Sequence, residues 1–199
     1  MTTMKKLMTL ILGNTIASLG IAMTVNSGFG CFAITAANLS FSNMFGISVG
    51  LAGMITETIM LLLATYKGEG IGVTAICNAV YGSLTVDLFM RLVPKHPIMI
   101  LGLLILPIGW SLMGKAGLGD TGSNILMNAI MKSSGKSMGL IRGIEECACV
   151  LIGFIGARQY VTIFTIILSL FFGYLMNLIY KLINYDPILI KHKFIIGGK

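Results

Sequence analysis

The sequence predicts an all-α membrane protein: a polytopic helical bundle of about six transmembrane helices plus two short partial helices, built from two internal repeats. Three observations lead to this fold class. Charged residues make up 11% of the 199 residues, whereas a soluble domain carries about 25%. Hydrophobic residues make up 56%, and the mean hydropathy is +0.92. Several apolar stretches also reach the roughly 20 residues that a helix needs to cross about 30 Å of hydrocarbon.

Six apolar segments are each long enough to cross a bilayer. They run over residues 7–25, 46–66, 71–92, 97–113, 138–157 and 161–182. The first follows Lys5 and Lys6, as in a signal peptide, but its apolar run shows no small-x-small cleavage site, so we expect an uncleaved first helix. The length predicts a single membrane domain over 1–199, without a separate soluble domain.

Two further segments, 31–45 and 121–131, are shorter and more polar. Each follows a glycine-rich turn, and Asp120 is predicted to be the N-cap of the second. At 1.5 Å per residue such helices extend only about 17 to 22 Å, so we expect them to be re-entrant. The tail, 184–199, is mixed in polarity and is predicted to be a cytoplasmic surface extension.

An internal repeat relates the two halves of the chain, with repeat one at about 7–92 and repeat two at about 97–182. Six glycines of the first half have a glycine 89 residues later, where composition gives about two by chance, and Glu57 falls on Glu146. With the offset widened to 91, Thr74 and Asn78 fall on Thr165 and Ser169. The glycine pairs are Gly13/Gly102, Gly20/Gly109, Gly28/Gly117, Gly30/Gly119, Gly46/Gly135 and Gly50/Gly139. Many transporter folds are built from such repeats.

The orientation of the second half depends on whether the short segments cross the membrane. Without crossing there are six spans and inverted repeats, and with crossing there are eight spans and parallel repeats. The positive-inside rule gives ten Lys and Arg inside against three outside in both cases, because Arg91 and Lys95 exchange sides with Lys67 and Lys115. Both arrangements place the two termini in the cytoplasm. The short segments favour six spans, and eight stays open.

Glu57 and Glu146 are the main candidates for a binding site because each lies near the centre of its span. A charged residue at mid-helix costs roughly 2.5 to 3.5 kcal/mol on insertion scales, so such residues usually face a bundle interior and mark a site. Gly46, Gly50 and Gly53 share the helix face of Glu57. A Gly-x-x-x-Gly face allows another helix to approach closely, so we expect both glutamates to face inward.

The two halves differ at one position of this face, where Arg142 stands in place of Gly53. Its spacing to Glu145 and Glu146 predicts a salt-bridged cluster on one helix. Glu57 has no such partner in its own helix, so we expect it to exchange protons when a pathway opens. The alternative is a structural role, in which Arg142 reaches both helices and locks the fold.

Polar residues at helical spacing follow the last helix of each half, including Thr85 and Asn177. They predict a polar path, and interhelical hydrogen bonds explain the pattern equally well. Asp87, near a helix end, is predicted to be an interfacial anchor. The candidate substrate- or ion-binding residues are Glu57, Glu146, Arg142, Glu145, Thr74, Asn78, Thr165 and Ser169.

No catalytic, cofactor or metal site is predicted. Neither His96 nor His192 lies within a span, and no nucleophile motif is present. The four cysteines fall in apolar stretches without CxxC spacing, so we interpret them as packing residues. The net charge of +7 comes from Lys and Arg residues that lie at helix ends, where they act as a topology signal. We therefore do not expect nucleic acid as a partner.

The glycine-rich turns, the Gly-x-x-x-Gly face, the 142–146 segment with Gly153 and the 71–87 stretch with Asn78 and Gly82 form a pattern from about residue 13 to residue 177. This pattern resembles the YczE/YyaS/YitT-type bacterial integral membrane proteins. The segments 31–33 and 157–159 depart from it. The resemblance implies a multi-pass protein of the bacterial cytoplasmic membrane and implies no particular activity.

Two hypotheses for function follow. The first is a small transporter-like protein, with a proton or polar-solute site at the interface of the repeats. The second is a non-transporting membrane subunit or accessory factor that binds a partner protein. The expected partners are the lipid bilayer, a small polar solute or a proton, and a membrane protein or a second copy of the chain.

Overall fold

The computed structural model describes residues 2–95, 99–182 and 194–196, and these residues are almost entirely helical. Within these ranges we name eight helices in chain order: α1 (Thr3–Ser27), α2 (Ala33–Phe45), α3 (Val49–Tyr66), α4 (Val73–Leu92), α5 (Met99–Lys115), α6 (Gly122–Ser134), α7 (Met138–Gly156) and α8 (Ile163–Leu182). A 3-10 turn, Arg158–Tyr160, precedes α8. Two short strands complete the described elements, β1 (Ile71–Gly72) and β2 (Phe194–Ile196).

Three helices, α1, α3 and α4, are long and apolar enough to cross a membrane. The apolar helix α5 has 17 residues, and α7 carries Arg142, Glu145 and Glu146 among its 19 residues. Large apolar side chains such as Ile59 and Leu62 are exposed along α3, as expected for a helix surrounded by hydrocarbon. The all-α class is therefore confirmed, and its helices suit a membrane protein.

Serine caps and left-handed glycines set helix ends at equivalent places in the two halves. Ser48 and Ser137 precede α3 and α7, and each side chain accepts a hydrogen bond from the third residue of its helix. Gly46 and Gly135 follow α2 and α6 with φ of 64° and 66°, a conformation that glycine adopts without strain. Both short helices have 13 residues. They begin 89 residues apart, as do α3 and α7.

Helices α1 and α5 cross at their glycines, where their backbones touch. A Cβ atom on Gly13 would lie 2.7 Å from the Gly109 carbonyl oxygen, and one on Gly102 would lie 3.1 Å from the Gly20 carbonyl oxygen. The contacts descend α5 as they ascend α1, so the two helices are antiparallel. Much of the core packs around this crossing and includes Leu10, Ala17, Phe32, Leu106, Met113, Ala116 and Leu118.

The short helices begin beside the middle of a longer helix instead of beside its end. At the start of α6, Gly122 donates to Glu57 in the middle of α3. Near its end, Lys132 pairs with Glu69, just beyond α3, at 2.6 Å. Helix α6 therefore runs alongside the second half of α3 in the same direction. In the same way α2 begins beside the middle of α7 and ends beside its last turn.

Each glycine-rich turn packs on the first residues of the last helix of the other half. Gly30, with φ of 119°, lies against Thr165 at the start of α8. Gly119, with φ of 110°, lies against Gly72, where a Cβ atom would come within 2.7 Å of the Gly72 Cα. Both turns thus reach across to the other half of the chain.

Part of the tail is built into the fold. Strand β2 pairs antiparallel with β1, with Ile196 opposite Ile71. The cytoplasmic surface extension predicted for 184–199 thus contains a strand at 194–196, because the short edge of β1 offers backbone groups that an extended segment can pair with. The rest of the tail, with His192, and residues 96–98, with His96, lie outside the described residues.

Candidate functional site

A cavity of about 450 Å³ lies between the two halves of the chain. Its wall brings together side chains that are far apart in sequence, from the helices α1 to α7 and from the turn before α6. Its charged lining residues, within the described part of the chain, are Glu57, Asp120, Arg142, Glu145 and Glu146. Uncharged polar residues line it as well, notably Asn14, Asn38, Asn78 and Asn124.

Glu57 accepts hydrogen bonds from two uncharged donors. Its Oε1 accepts from the backbone nitrogen of Gly122 at 2.5 Å and from Nδ2 of Asn78 at 3.1 Å. Gly122 is the first residue of α6, and the first N–H groups of a helix lack partners within it and attract negative charge. The short helix of the second half therefore holds the acid of the first half.

Asn78 begins a π turn, Asn78–Gly82, inside α4. Such turns widen a helix locally and are frequent at functional sites. A Cβ atom on Gly82 would lie 2.6 Å from Oδ1 of Asn14 and 3.1 Å from Oδ1 of Asn78. Glycine at this position thus allows both amides to reach the cavity wall. Helical periodicity in the sequence predicted the face of Asn78 but not the π turn.

Arg142, Glu145 and Glu146 form the cluster that their spacing predicts. Nη1 of Arg142 lies 3.3 Å from Oε2 of Glu145, and its Nε lies 3.5 Å from Oε1 of Glu146. Nη1 also donates to Oδ1 of Asn124 at 3.2 Å. The side chains are 26%, 16% and 12% exposed, in the order Arg142, Glu145, Glu146, so the cluster is screened from solvent without being sealed.

The first turn of α6 connects the two groups of acids. Gly122 donates to Glu57, the Ser123 hydroxyl donates to Glu145, and Asn124 accepts from Arg142. Three consecutive residues thus contact α3 on one side and α7 on the other. Sequence reasoning assigned neither Ser123 nor Asn124 to the site. The sequence feature that could have assigned them is the polar start of the second short segment.

Asp120 lines the cavity directly before α6. The prediction that it is the N-cap is wrong by one residue, because Thr121 occupies that position. The Asp120 Oδ1 instead accepts from the Thr121 backbone at 2.8 Å and from Nδ2 of Asn124 at 2.7 Å. Asp120 lines the same cavity as Glu57.

The other predicted site residues lie at contacts between helices. Thr74 is 1% exposed, and its backbone nitrogen donates to Leu118 in the second glycine-rich turn at 3.2 Å. Thr165 is fully buried and donates to the Tyr160 carbonyl at 3.0 Å. Ser169 donates to the Thr165 carbonyl and lies beside Glu146. Their binding roles stay predictions. The side chain of Asn177 lies outside the described residues.

Asp87 holds the start of α3 against α4. Its carboxylate accepts from the Ser48 hydroxyl at 2.5 Å and from the Gly50 backbone at 2.7 Å. The carboxylate thereby adds to the serine cap of α3, where negative charge is favourable. Asp87 thus links two helices, and its role as an interfacial anchor stays a prediction.

The four cysteines are free thiols. Cys31 and Cys149 are buried among apolar side chains of α2, α7 and their neighbours, as expected of packing residues. Within residues 2–95, 99–182 and 194–196, no group of three or more His, Cys, Asp or Glu side chains is arranged to hold a metal ion.

Comparisons with known proteins give one family. The model of a family described as a family of unknown function (DUF6198) matches residues 4–98 and, a second time, residues 93–198. The two matches together span nearly the whole chain. Neither a curated protein nor a solved structure matches it.

Proposed function

The chain belongs to the DUF6198 family, and from the cavity described above we propose that it is a small transporter-like membrane protein. Its site for a proton or a polar solute lies between the two halves. The observation that carries the proposal is the meeting of Glu57 with Arg142, Glu145 and Glu146 around one cavity. Ionisable residues within membrane helices usually mark a solute or proton pathway. We also propose that the chain is related to the YczE/YyaS/YitT-type proteins that it resembles and that it lies in the bacterial cytoplasmic membrane.

The proposal includes an internal duplication. Three features of α2 and α6 support it. The two helices are equally long, they begin 89 residues apart, which is the offset of the repeat, and each is followed by a glycine of the same conformation. The contacts at the α1/α5 crossing are also reciprocal. Gly13 contacts Gly109 and Gly20 contacts Gly102, and the offset of 89 exchanges these two pairs. A two-fold relation between the halves produces such reciprocity.

We propose six crossings, by α1, α3, α4, α5, α7 and α8, with inverted halves. The antiparallel packing of α1 and α5 supports inversion, since these helices are equivalent in the duplication. The pairing of Ile71 with Ile196 supports six crossings. With eight, the loop before α4 and the tail lie on opposite sides of the membrane, and the strands cannot meet. The charge count then places both termini in the cytoplasm.

Within the site we assign the proton-exchanging role to Glu57 and Glu146. Glu57 is held by the Asn78 amide and the Gly122 backbone, which favour its carboxylate without fixing a positive charge beside it. Glu146 shares Arg142 with Glu145. A proton or a solute that replaces Arg142 as the partner of Glu146 therefore alters the balance of charge on the cavity wall.

Proteoliposomes with an imposed pH gradient test the proposal. Purified protein is reconstituted, and an internal pH-sensitive dye reports proton flux. We expect the wild type to dissipate the gradient faster than empty vesicles, and Glu57→Gln and Glu146→Gln to fall to the empty-vesicle rate. Glu69→Gln is the matched control, because Glu69 pairs with Lys132 outside the cavity. It is expected to behave as the wild type.

Flux that is unchanged in both cavity variants contradicts the transporter proposal. The hypothesis of a non-transporting subunit then takes precedence. Co-purification in mild detergent tests the hypothesis of a non-transporting subunit. The expected result is a stoichiometric partner protein or a second copy of the chain.

A further inference from the structure

We infer that the solute which the cavity accepts is a small organic cation, an amine or guanidine whose N–H groups bind the carboxylates of the wall. This inference rests on the proposed function, because it names the solute class for the same cavity.

Acidic side chains outnumber basic ones on the cavity wall. Among the described residues that line it, four carry carboxylates and one, Arg142, carries a guanidinium, a formal charge of −3 when all are ionised. The whole chain is basic, at +7 with seven acidic residues, so more than half of its acids gather here. Since uncompensated charge in an apolar surrounding is costly, a cation gains by entering and an anion is repelled.

Two of the four carboxylates are arranged to receive a cation. Arg142 lies beside Glu145 and Glu146 on α7. The donors to Glu57 and Asp120 are instead backbone N–H groups and asparagine amides. Uncharged donors orient a carboxylate but do not compensate its negative charge. A charge-assisted hydrogen bond from an ammonium or guanidinium group compensates that charge directly.

An unsatisfied acceptor and an aromatic ring lie on the same wall. Oδ1 of Asn38 is buried and accepts no hydrogen bond from a described residue. A buried acceptor without a donor costs free energy, and an N–H group of a ligand removes that cost if the Asn38 amide turns its oxygen into the cavity. Trp110 lines the cavity as well, and indole rings attract organic cations.

The size of the cavity indicates a molecule instead of a bare ion. Its volume of about 450 Å³ lies within the range of small-molecule sites. A solute with several heavy atoms fills it and reaches carboxylates from more than one helix.

A four-carbon series isolates the charge of the solute. The probes are 1,4-diaminobutane, 4-aminobutanoate, 1,4-butanediol and succinate, which share chain length and differ in charge, with K⁺ and Mg²⁺ as inorganic cations. Calorimetric titration of the purified protein in detergent measures binding. We expect 1,4-diaminobutane to bind most tightly, and the diol, succinate and both inorganic ions to bind at least tenfold more weakly.

Two variants connect binding to the carboxylates. Glu57→Gln and Asp120→Asn are each expected to weaken diamine binding about tenfold, because a hydrogen bond to a charged group contributes enough to change a dissociation constant by that factor. Both substitutions keep the oxygen that accepts from the backbone, so folding is retained. Glu69→Gln is again the control and is expected to leave diamine affinity unchanged.

The inference is overturned if the diol or succinate binds as tightly as the diamine, if K⁺ or Mg²⁺ binds in its place, or if Glu69→Gln weakens binding as much as Glu57→Gln. Its failure is separate from that of transport. Proton flux that depends on Glu57, in a protein that binds no diamine, overturns the solute class and leaves the transporter. Diamine binding without proton flux and without uptake of the diamine into vesicles keeps the solute class and overturns transport.

Discussion

At the scale of single residues, Glu57 shows how a carboxylate is held within an apolar bundle. Its Oε1 accepts two hydrogen bonds, from the first turn of α6 and from the π turn of α4. Hydrogen bonds to charged groups contribute about 1.5 to 3 kcal/mol each, comparable with the cost of placing the charge at mid-helix. One of the two donors, Gly122, also packs closely against Glu57.

Gly122→Ala is expected to weaken the site without removing a charge. The added Cβ would lie 2.9 Å from the Glu57 carbonyl oxygen and 3.1 Å from its Cδ, so the start of α6 has to move away from the carboxylate. Diamine affinity, measured by calorimetry, should fall several-fold, a loss of about 1 kcal/mol. Gly143→Ala is the control, because nothing lies within 4 Å of its added Cβ. Equal affinities in the two variants contradict the prediction.

Asp87→Ala is expected to destabilise the fold by about 1 to 2 kcal/mol, in the range of lost helix caps. The alanine removes both hydrogen bonds to the start of α3, from Ser48 and from Gly50. Melting temperature in detergent is the measurement. Asp87→Asn keeps an acceptor oxygen for Gly50 and should recover part of the loss. A melting temperature that alanine leaves unchanged disproves the proposed link.

At the scale of elements, the short helices and the glycine crossing set the geometry of the site. Helix α6 begins beside the middle of α3, so its unpaired N–H groups point at the depth of Glu57 instead of at the membrane surface. The crossing of α1 and α5 brings the two halves into backbone contact. Small residues at such crossings allow close van der Waals packing, the main attraction between helices in lipid.

Gly20→Ala is expected to destabilise the α1/α5 crossing by about 1 to 3 kcal/mol, as overpacking does in cores. Its Cβ would lie 2.9 Å from the Leu106 backbone, which cannot rotate away as a side chain does. Gly139→Ala in α7 is the matched control, since it has open space around it and should be neutral or stabilising. The melting temperatures of both variants, measured by thermal unfolding, test this prediction. Similar melting temperatures are incompatible with a tight crossing.

At the scale of the whole molecule, the proposed inversion of the halves explains why the two acids share one cavity. In an inverted pair, a mid-membrane residue of one half lies at the same depth as its equivalent in the other. Glu57 and Glu146 are such a pair at an offset of 89, and both line the cavity. Parallel halves also keep that depth, but they do not produce antiparallel α1 and α5.

Labelling of introduced cysteines tests the six-crossing topology. In a cysteine-free background, Lys67→Cys is expected to react with an impermeant thiol reagent only from the cytoplasmic side, and Arg91→Cys only from outside. The reason is that six crossings place the loop before α4 beside the tail, as the Ile71 and Ile196 pairing requires. The reverse pattern of labelling corresponds to eight crossings and disproves inversion.

The sequence by itself determined the all-α class with helices apolar enough for a membrane, the places of the two short helices and the mid-helix acids. Segments 31–45 and 121–131 were predicted, and helices occupy Ala33–Phe45 and Gly122–Ser134. These features depend on hydropathy, on helical spacing and on glycines in turns, all of which act over a few residues. The Arg142 cluster was predictable for the same reason, because residues three and four apart on a helix are neighbours.

Only the tertiary structure decided which distant groups meet. No local pattern shows that Gly122 donates to Glu57, that Ser123 and Asn124 contact Glu145 and Arg142, or that the tail pairs with β1. Sequence reasoning also placed Asp120 at the N-cap, one residue away from the observed cap at Thr121. These contacts join residues 18 to 125 positions apart. Their geometry is set by how whole helices pack, and it is this packing that gathers four carboxylates around one space.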